Sequence, residues 1–187
     1  MFTRVVALAL LAMTASAASV GSIAAEANCD NPRVVGTQIV QAGANEIVIT
    51  DTSCNGAASP FRAAAVAATV DVCGIACAAP TCNLDSGNLP PITEDCQVIK
   101  NSITIFNGIS TTFSVAPKSL KSLTHGTCTF FLSNLSDNTL TACWADLSVQ
   151  GSRSGSACFP PVMPLRSQGV CTAVNGVFKI GAGHSGK

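Results

Sequence analysis

The chain predicts an α+β fold, disulfide-rich, with helices on an antiparallel sheet and a β-rich N-terminal half ahead of them. Three observations carry that expectation. Ten cysteines all follow an apolar leader. The first half consists of short β-branched runs. The second half reads helix, strands, helix, strands, the order of a layer whose helices share one face of a sheet.

Residues 1–18 have the make-up of a secretory signal peptide. Arg4 is the only early charge, an apolar run follows from Val5 to Met13, and Ala15-Ser16-Ala17 supplies the small residues of a cleavage site. Cleavage is expected near Ala17 or Ala18, with a later cut after Ala25 as the alternative. The apolar run is too short for a bilayer-spanning helix, which needs about 20 residues, and no comparable stretch follows. The expected location is therefore extracellular, with no transmembrane segment.

Export leads through an oxidising compartment, so the even set Cys29, Cys54, Cys73, Cys77, Cys82, Cys96, Cys128, Cys143, Cys158 and Cys171 reads as five disulfides. Spacing leaves the pairing open, since ten cysteines allow about 945 connectivities. The dense group Cys73, Cys77 and Cys82 lacks the C-x-x-C spacing of zinc sites, and the only histidines are His125 and His184. No metal and no cofactor are expected.

Without Arg4 the chain keeps nine basic and ten acidic residues, a net charge of −1, with no basic stripe. Nucleic-acid binding draws on clustered Lys and Arg, so that partner is not expected. There is no Tyr, and Trp144 is the single Trp, which leaves little for a sugar-stacking platform.

In the half spanning 26–84, Val34-Val35, Gln38-Ile39-Val40 and Glu46 to Thr50 read as strands parted by Gly36 and by Gly43-Ala44-Asn45. Ala63 to Val72 balances helix-favouring alanines against β-branched residues and leans towards strand. Residues 85–92, with Gly87, Asn88, Pro90 and Pro91, read as a linker between the halves.

The half spanning 93–181 opens with a helix. Thr93 can cap it, Glu94 and Asp95 put negative charge in its first turn, and Cys96, Ile99 and Ile103 share a face. Thr111 to Val115, Leu120 to Thr124 and Thr127 to Leu132 are strand-like, with a turn at His125-Gly126. Leu140 to Val149 allows a short helix carrying Cys143, Trp144 and Leu147, and Gly151 to Gly155 reads as a loop. Gly169 to Ala173 and Val177 to Ile180 are strands. Residues 182–187 read as a flexible tail, although Gly181 to Gly186 formally matches G-x-G-x-x-G. The dinucleotide role of that motif needs a helix opening behind the glycines.

Catalysis requires acids, bases or nucleophiles within mutual reach. His125 is expected at an exposed turn and His184 in the tail. Glu94 and Asp95 are explained by a helix N-terminus, and Asp137 or Asp146 would need a distant acid to act as a glycosidase pair. No enzyme is expected. Asn134-Leu135-Ser136 is a glycosylation sequon, placed by this reading at an exposed turn.

The second half also carries a resemblance. Asp95-Cys96-Gln97-Val98-Ile99 and Gly126-Thr127-Cys128-Thr129-Phe130, with Cys73-Gly74 to Cys77 and Val170-Cys171, resemble the D-C-x-x-I and G-T-C-x-F signatures of small secreted cysteine-rich fungal proteins of mushroom type. More distantly they resemble the necrosis-inducing secreted effectors. The resemblance implies an extracellular α+β disulfide-bonded protein and carries over no catalytic residue. The expected role is a non-enzymatic surface-acting protein that meets an extracellular protein or glycan. The alternative is a carbohydrate-binding or weakly carbohydrate-active protein.

Overall fold

The computed structural model describes residues 23–24, 27–54, 68–83 and 89–186. Ten strands and two helices are found among them. A seven-stranded, wholly antiparallel sheet runs in the order β1-β2-β6-β7-β10-β9-β4. Its strands are β1 Arg33–Ala42, β2 Asn45–Ser53, β4 Thr81–Asn83, β6 Ser119–His125, β7 Cys128–Asn134, β9 Gln168–Thr172 and β10 Phe178–His184. A smaller sheet places β8 Thr139–Cys143 between β3 Thr69–Asp71 and β5 Thr112–Val115. Helices α1 Thr93–Ile109 and α2 Trp144–Cys158 lie on one face of the large sheet.

Local sequence accounts for much of this. The hairpin of β1 and β2 turns in two residues, and Gly43 takes φ +66° at the first of them, the position such turns give to glycine. Gly36 does not break β1. It marks a bulge where the register with β2 shifts, the usual place for glycine inside a strand. In α1, Ile99, Ile103 and Phe106 point into the core at helical spacing.

Strand β7 is buried at all seven positions, because consecutive side chains enter different cores. Phe130 and Leu132 join the front core beneath the helices, with Ile99, Ile103, Leu147 and Ile180. Phe131 joins a back core with Leu120, Val170 and the bridged Cys29 and Cys54. Ile23, Ala24 and Ala27 close that back core, at 5%, 1% and 0% exposure. The adjacent pair Phe130-Phe131 thus needs cover on both faces of the sheet.

Several sequence expectations are corrected. Leu140 to Val149 is not one helix. Leu140 and Ala142 alternate with half-buried neighbours along β8, and α2 begins only at Trp144. Gly151 to Gly155 is not a loop but the middle of α2. Glycine costs roughly 1 kcal/mol in a helix, yet here its bare face allows contact: a Cβ on Gly151 would lie 2.8 Å from the Phe130 ring. Thr93 does not cap α1; Ile92 is the capping residue and no side chain bonds there. Residues 182–187 do not begin a tail, because β10 runs to His184 between β7 and β9, and Ser185 is buried. No helix follows the glycines of Gly181 to Gly186 among the described residues, and Gly181 sits under the Phe131 ring.

The two halves read from the sequence are interleaved. Pairings of β2 with β6, β3 with β8 and β4 with β9 all cross residues 85–92. The pairing of the cysteines is Cys29–Cys54, Cys73–Cys143, Cys77–Cys171, Cys82–Cys158 and Cys96–Cys128. The second, third and fourth of these bridges also tie the first half to the second. The stretch 55–67, including part of the strand expected over Ala63 to Val72, and residues 84–88, the last four of them in the linker, lie outside the described residues.

α2 and β9 touch through backbone at Gly169. A Cβ there would run into the Ser154 carbonyl and lie 2.8 Å from Cys158 Sγ. Overpacking of this kind typically costs about 1–3 kcal/mol, and here the obstruction is helix backbone. Gly169→Ala is therefore expected to lower stability by about 3 kcal/mol in urea unfolding. A loss under about 0.5 kcal/mol would mean that the helix can lift off the sheet freely.

Candidate functional site

The first candidate is the N-terminus of α1, where it meets the turn between β6 and β7. Asp95 Oδ2 accepts hydrogen bonds from Thr127 N and Thr127 Oγ1, both at 2.7 Å, and Ile92 N donates to the same hydroxyl at 2.8 Å. The Cys96–Cys128 bridge fastens the neighbouring residues. Gly126 takes φ +50° and leaves room for the Asp95 carboxylate, which any Cβ would strike. Partial burial raises the Asp95 pKa, but the two Thr127 hydrogen bonds and the nearby His125 outweigh it, and the net result lies below the usual value near 3.8. The segment Asp95-Cys96 and the segment Gly126-Thr127-Cys128 are thus two parts of one clasp.

The other sequence candidates are scattered. His125 Nδ1 donates to Glu46 O at 2.8 Å, pinning the turn to β2. His184 Nδ1 accepts from Gly186 N, and burial holds its pKa below the usual 6.5. Glu94 stays exposed in the first turn of α1. Asp137 pairs with Lys118 at 3.4 Å on the surface. Asp146 Oδ2 accepts from Gly74 N at 2.7 Å. Asp146 also lies near Cys73 and Cys143, the one metal-like cluster among the described residues, but those two sulfurs are bonded to each other. What remains there is a single carboxylate already holding a backbone amide.

Both shifted groups act in the same direction on stability. Asp95 has a depressed folded pKa, so its contribution is present above its unfolded value and fades as pH falls through the folded one. His184 is easier to protonate when unfolded, so proton uptake below about 6.5 also favours the unfolded chain. The stability difference between the wild type and Asp95→Asn should therefore be constant from pH 5 to 7 and shrink below 3.8. Urea midpoints across that range check this; a difference that grows in acid would contradict it.

Asn134 is not at an exposed turn. It is 1% exposed, and its Nδ2 protons are shared among Val115 O at 3.1 Å, Ala116 O at 2.9 Å and Asn138 O at 2.7 Å. Its Oδ1 accepts from Ser136 N and Ser136 Oγ. The sequon residues Asn134 and Ser136 bond each other to shape the turn, and in the folded chain the amide has no opening to carry a glycan.

Trp144 is likewise a core residue, 8% exposed, with ring centroids 4.2 Å from Phe113 and 5.5 Å from Phe106. It offers no open face to a sugar.

The site that sequence reading missed is a cleft of about 270 Å³ between the two helices. Thr93, Gln97 and Lys100 line one wall at helical spacing, beside Cys96. Gly151, Ser152, Gly155 and Ser156 line the other, and Phe130, Phe159 and Pro160 complete it. The wall of α2 is low because its cleft-facing side chains are hydrogens and hydroxymethyls. An apolar floor with a few polar groups at its edge is the ordinary composition of a small-molecule site. The sequence signal was present in the small residues 151–156, but they read as a loop until α2 was seen to run through them.

Comparison of the chain with protein-family models, with curated proteins and with solved structures finds no match. The fold itself defines the class, a small α+β protein held by five disulfides, in which no helix among the described residues is long and apolar enough to cross a membrane.

Proposed function

We propose that this is a secreted, non-enzymatic protein of the small cysteine-rich fungal kind, acting by binding at the cell surface or on a host or competitor organism. The observation that carries this reading is the pairing of all ten cysteines in five bridges, behind a leader of signal-peptide composition. Such bridging suits an oxidising, protease-rich exterior. The scatter of His125, His184, Asp137 and Asp146 supports binding over catalysis, and the cleft between α1 and α2 is the natural place for a ligand. Burial of Ile23 and Ala24 in the back core supports cleavage near Ala17 or Ala18, because a cut after Ala25 would strip two core residues.

Intact mass of the protein from culture medium, before and after reduction and alkylation, tests the reading. A start near Ala18 or Ser19 with no free thiol is expected. Retention in the cell, or two or more free cysteines, would overturn it.

A further inference from the structure

The cleft between α1 and α2 combines two features that narrow its ligand. Its floor is apolar, made by the Phe130 ring, Phe159 and Pro160. One rim carries Lys100, and neither ion pair among the described residues includes that side chain. An ammonium outside both of those ion pairs, at the edge of an apolar trough, is complementary to a ligand with an apolar body and an anionic end.

Size limits the ligand further. At about 270 Å³ the cleft sits just below the range of roughly 300–1,000 Å³ for drug-sized ligands. A single short chain is within that space.

Resting on the reading of a secreted binding protein, we infer that this cleft takes free single-chain amphiphiles with a carboxylate end, the chain on Phe130, Phe159 and Pro160 and the carboxylate at Lys100. The occupant is the monomer in solution rather than a bilayer surface.

Calorimetric titration of the disulfide-intact protein with decanoate, below its micelle-forming concentration, tests this. Decanoate is expected to bind one to one. Lys100→Glu should weaken decanoate about three- to tenfold, the scale of an exposed charge pair reversed, while leaving decanol unchanged. Ser156→Trp, which fills the trough from an exposed wall position, should abolish both. Both substitutions lie on the surface, and unchanged melting of the free variants confirms that they fold. No decanoate binding, binding indifferent to both substitutions, or binding only to phosphatidylglycerol vesicles would each overturn the inference. Surface binding of the unmodified protein to intact cells, measured separately, distinguishes failure of this ligand class from failure of the binding role itself.

Discussion

Asn134→Asp is expected to destabilise the protein by about 3–4 kcal/mol at neutral pH, enough to lower the melting temperature by roughly 10 °C. The wild-type amide serves three carbonyls, from the end of β5, from the connection into β6 and from the turn into β8. A carboxylate at that point cannot donate. It would leave those carbonyls unpartnered and add a buried negative charge facing oxygen atoms. Lowering the pH should restore part of the loss, because a neutral carboxyl can donate once. Asn134→Ala removes the donor without adding charge and should cost less, about 2–3 kcal/mol, with no recovery in acid. Urea unfolding at pH 7 and pH 4 reads all three. The same geometry predicts that N-glycosidase treatment leaves the mass of the secreted protein unchanged. A mass loss equal to a glycan would mean that Asn134 is turned outward.

Removal of the Cys77–Cys171 bridge is the second large effect. It closes the longest loop of the five, with a sequence separation of 94 residues. Chain entropy alone assigns such a loop about 4–5 kcal/mol at 25 °C. Around the bridge the backbone adds a sparse seam, Ala78 N to Thr172 O and Val174 N to Ala76 O, with an isolated pairing of Cys77 and Ala173, next to the three-residue β4–β9 ladder. Cys77→Ala with Cys171→Ala should therefore lose about 4 kcal/mol, against a typical total of 5–15 kcal/mol. The Cys29–Cys54 bridge, separated by only 25 residues, should contribute roughly 1 kcal/mol less by the same entropy. Equal losses from the two double variants would show that strain or unfolded-state structure, rather than loop length, sets their contribution.

Periodic and local signals carried well from the sequence. The face of α1 with Cys96, Ile99 and Ile103, the strands around Phe113, Leu123 and Phe130, and the sulfur set all rest on spacing that one segment holds by itself. Where prediction failed, the deciding atom belonged to a distant segment. Gly151 to Gly155 looked like a breaker because glycine weakens an isolated helix, and nothing nearby in sequence announces that Phe130 needs that bare surface. Asn134 looked exposed because a sequon at a strand end usually is, and its acceptors Val115 and Ala116 are far back in the chain. Gly183 and His184 looked like a tail because a glycine-rich end carries no burial signal, although β10 runs between two other strands.

By itself, the sequence determined the α+β composition, the sulfur count behind a leader of export type, and the absence of a charge pattern for nucleic acid. These follow from composition and short-range periodicity, which need no partner. Only the tertiary structure decided which cysteines meet, that the two halves share one sheet, and that a cleft lies between α1 and α2. Each of those depends on contacts between residues far apart in sequence, and the direction in which a side chain is useful is set by what arrives opposite it.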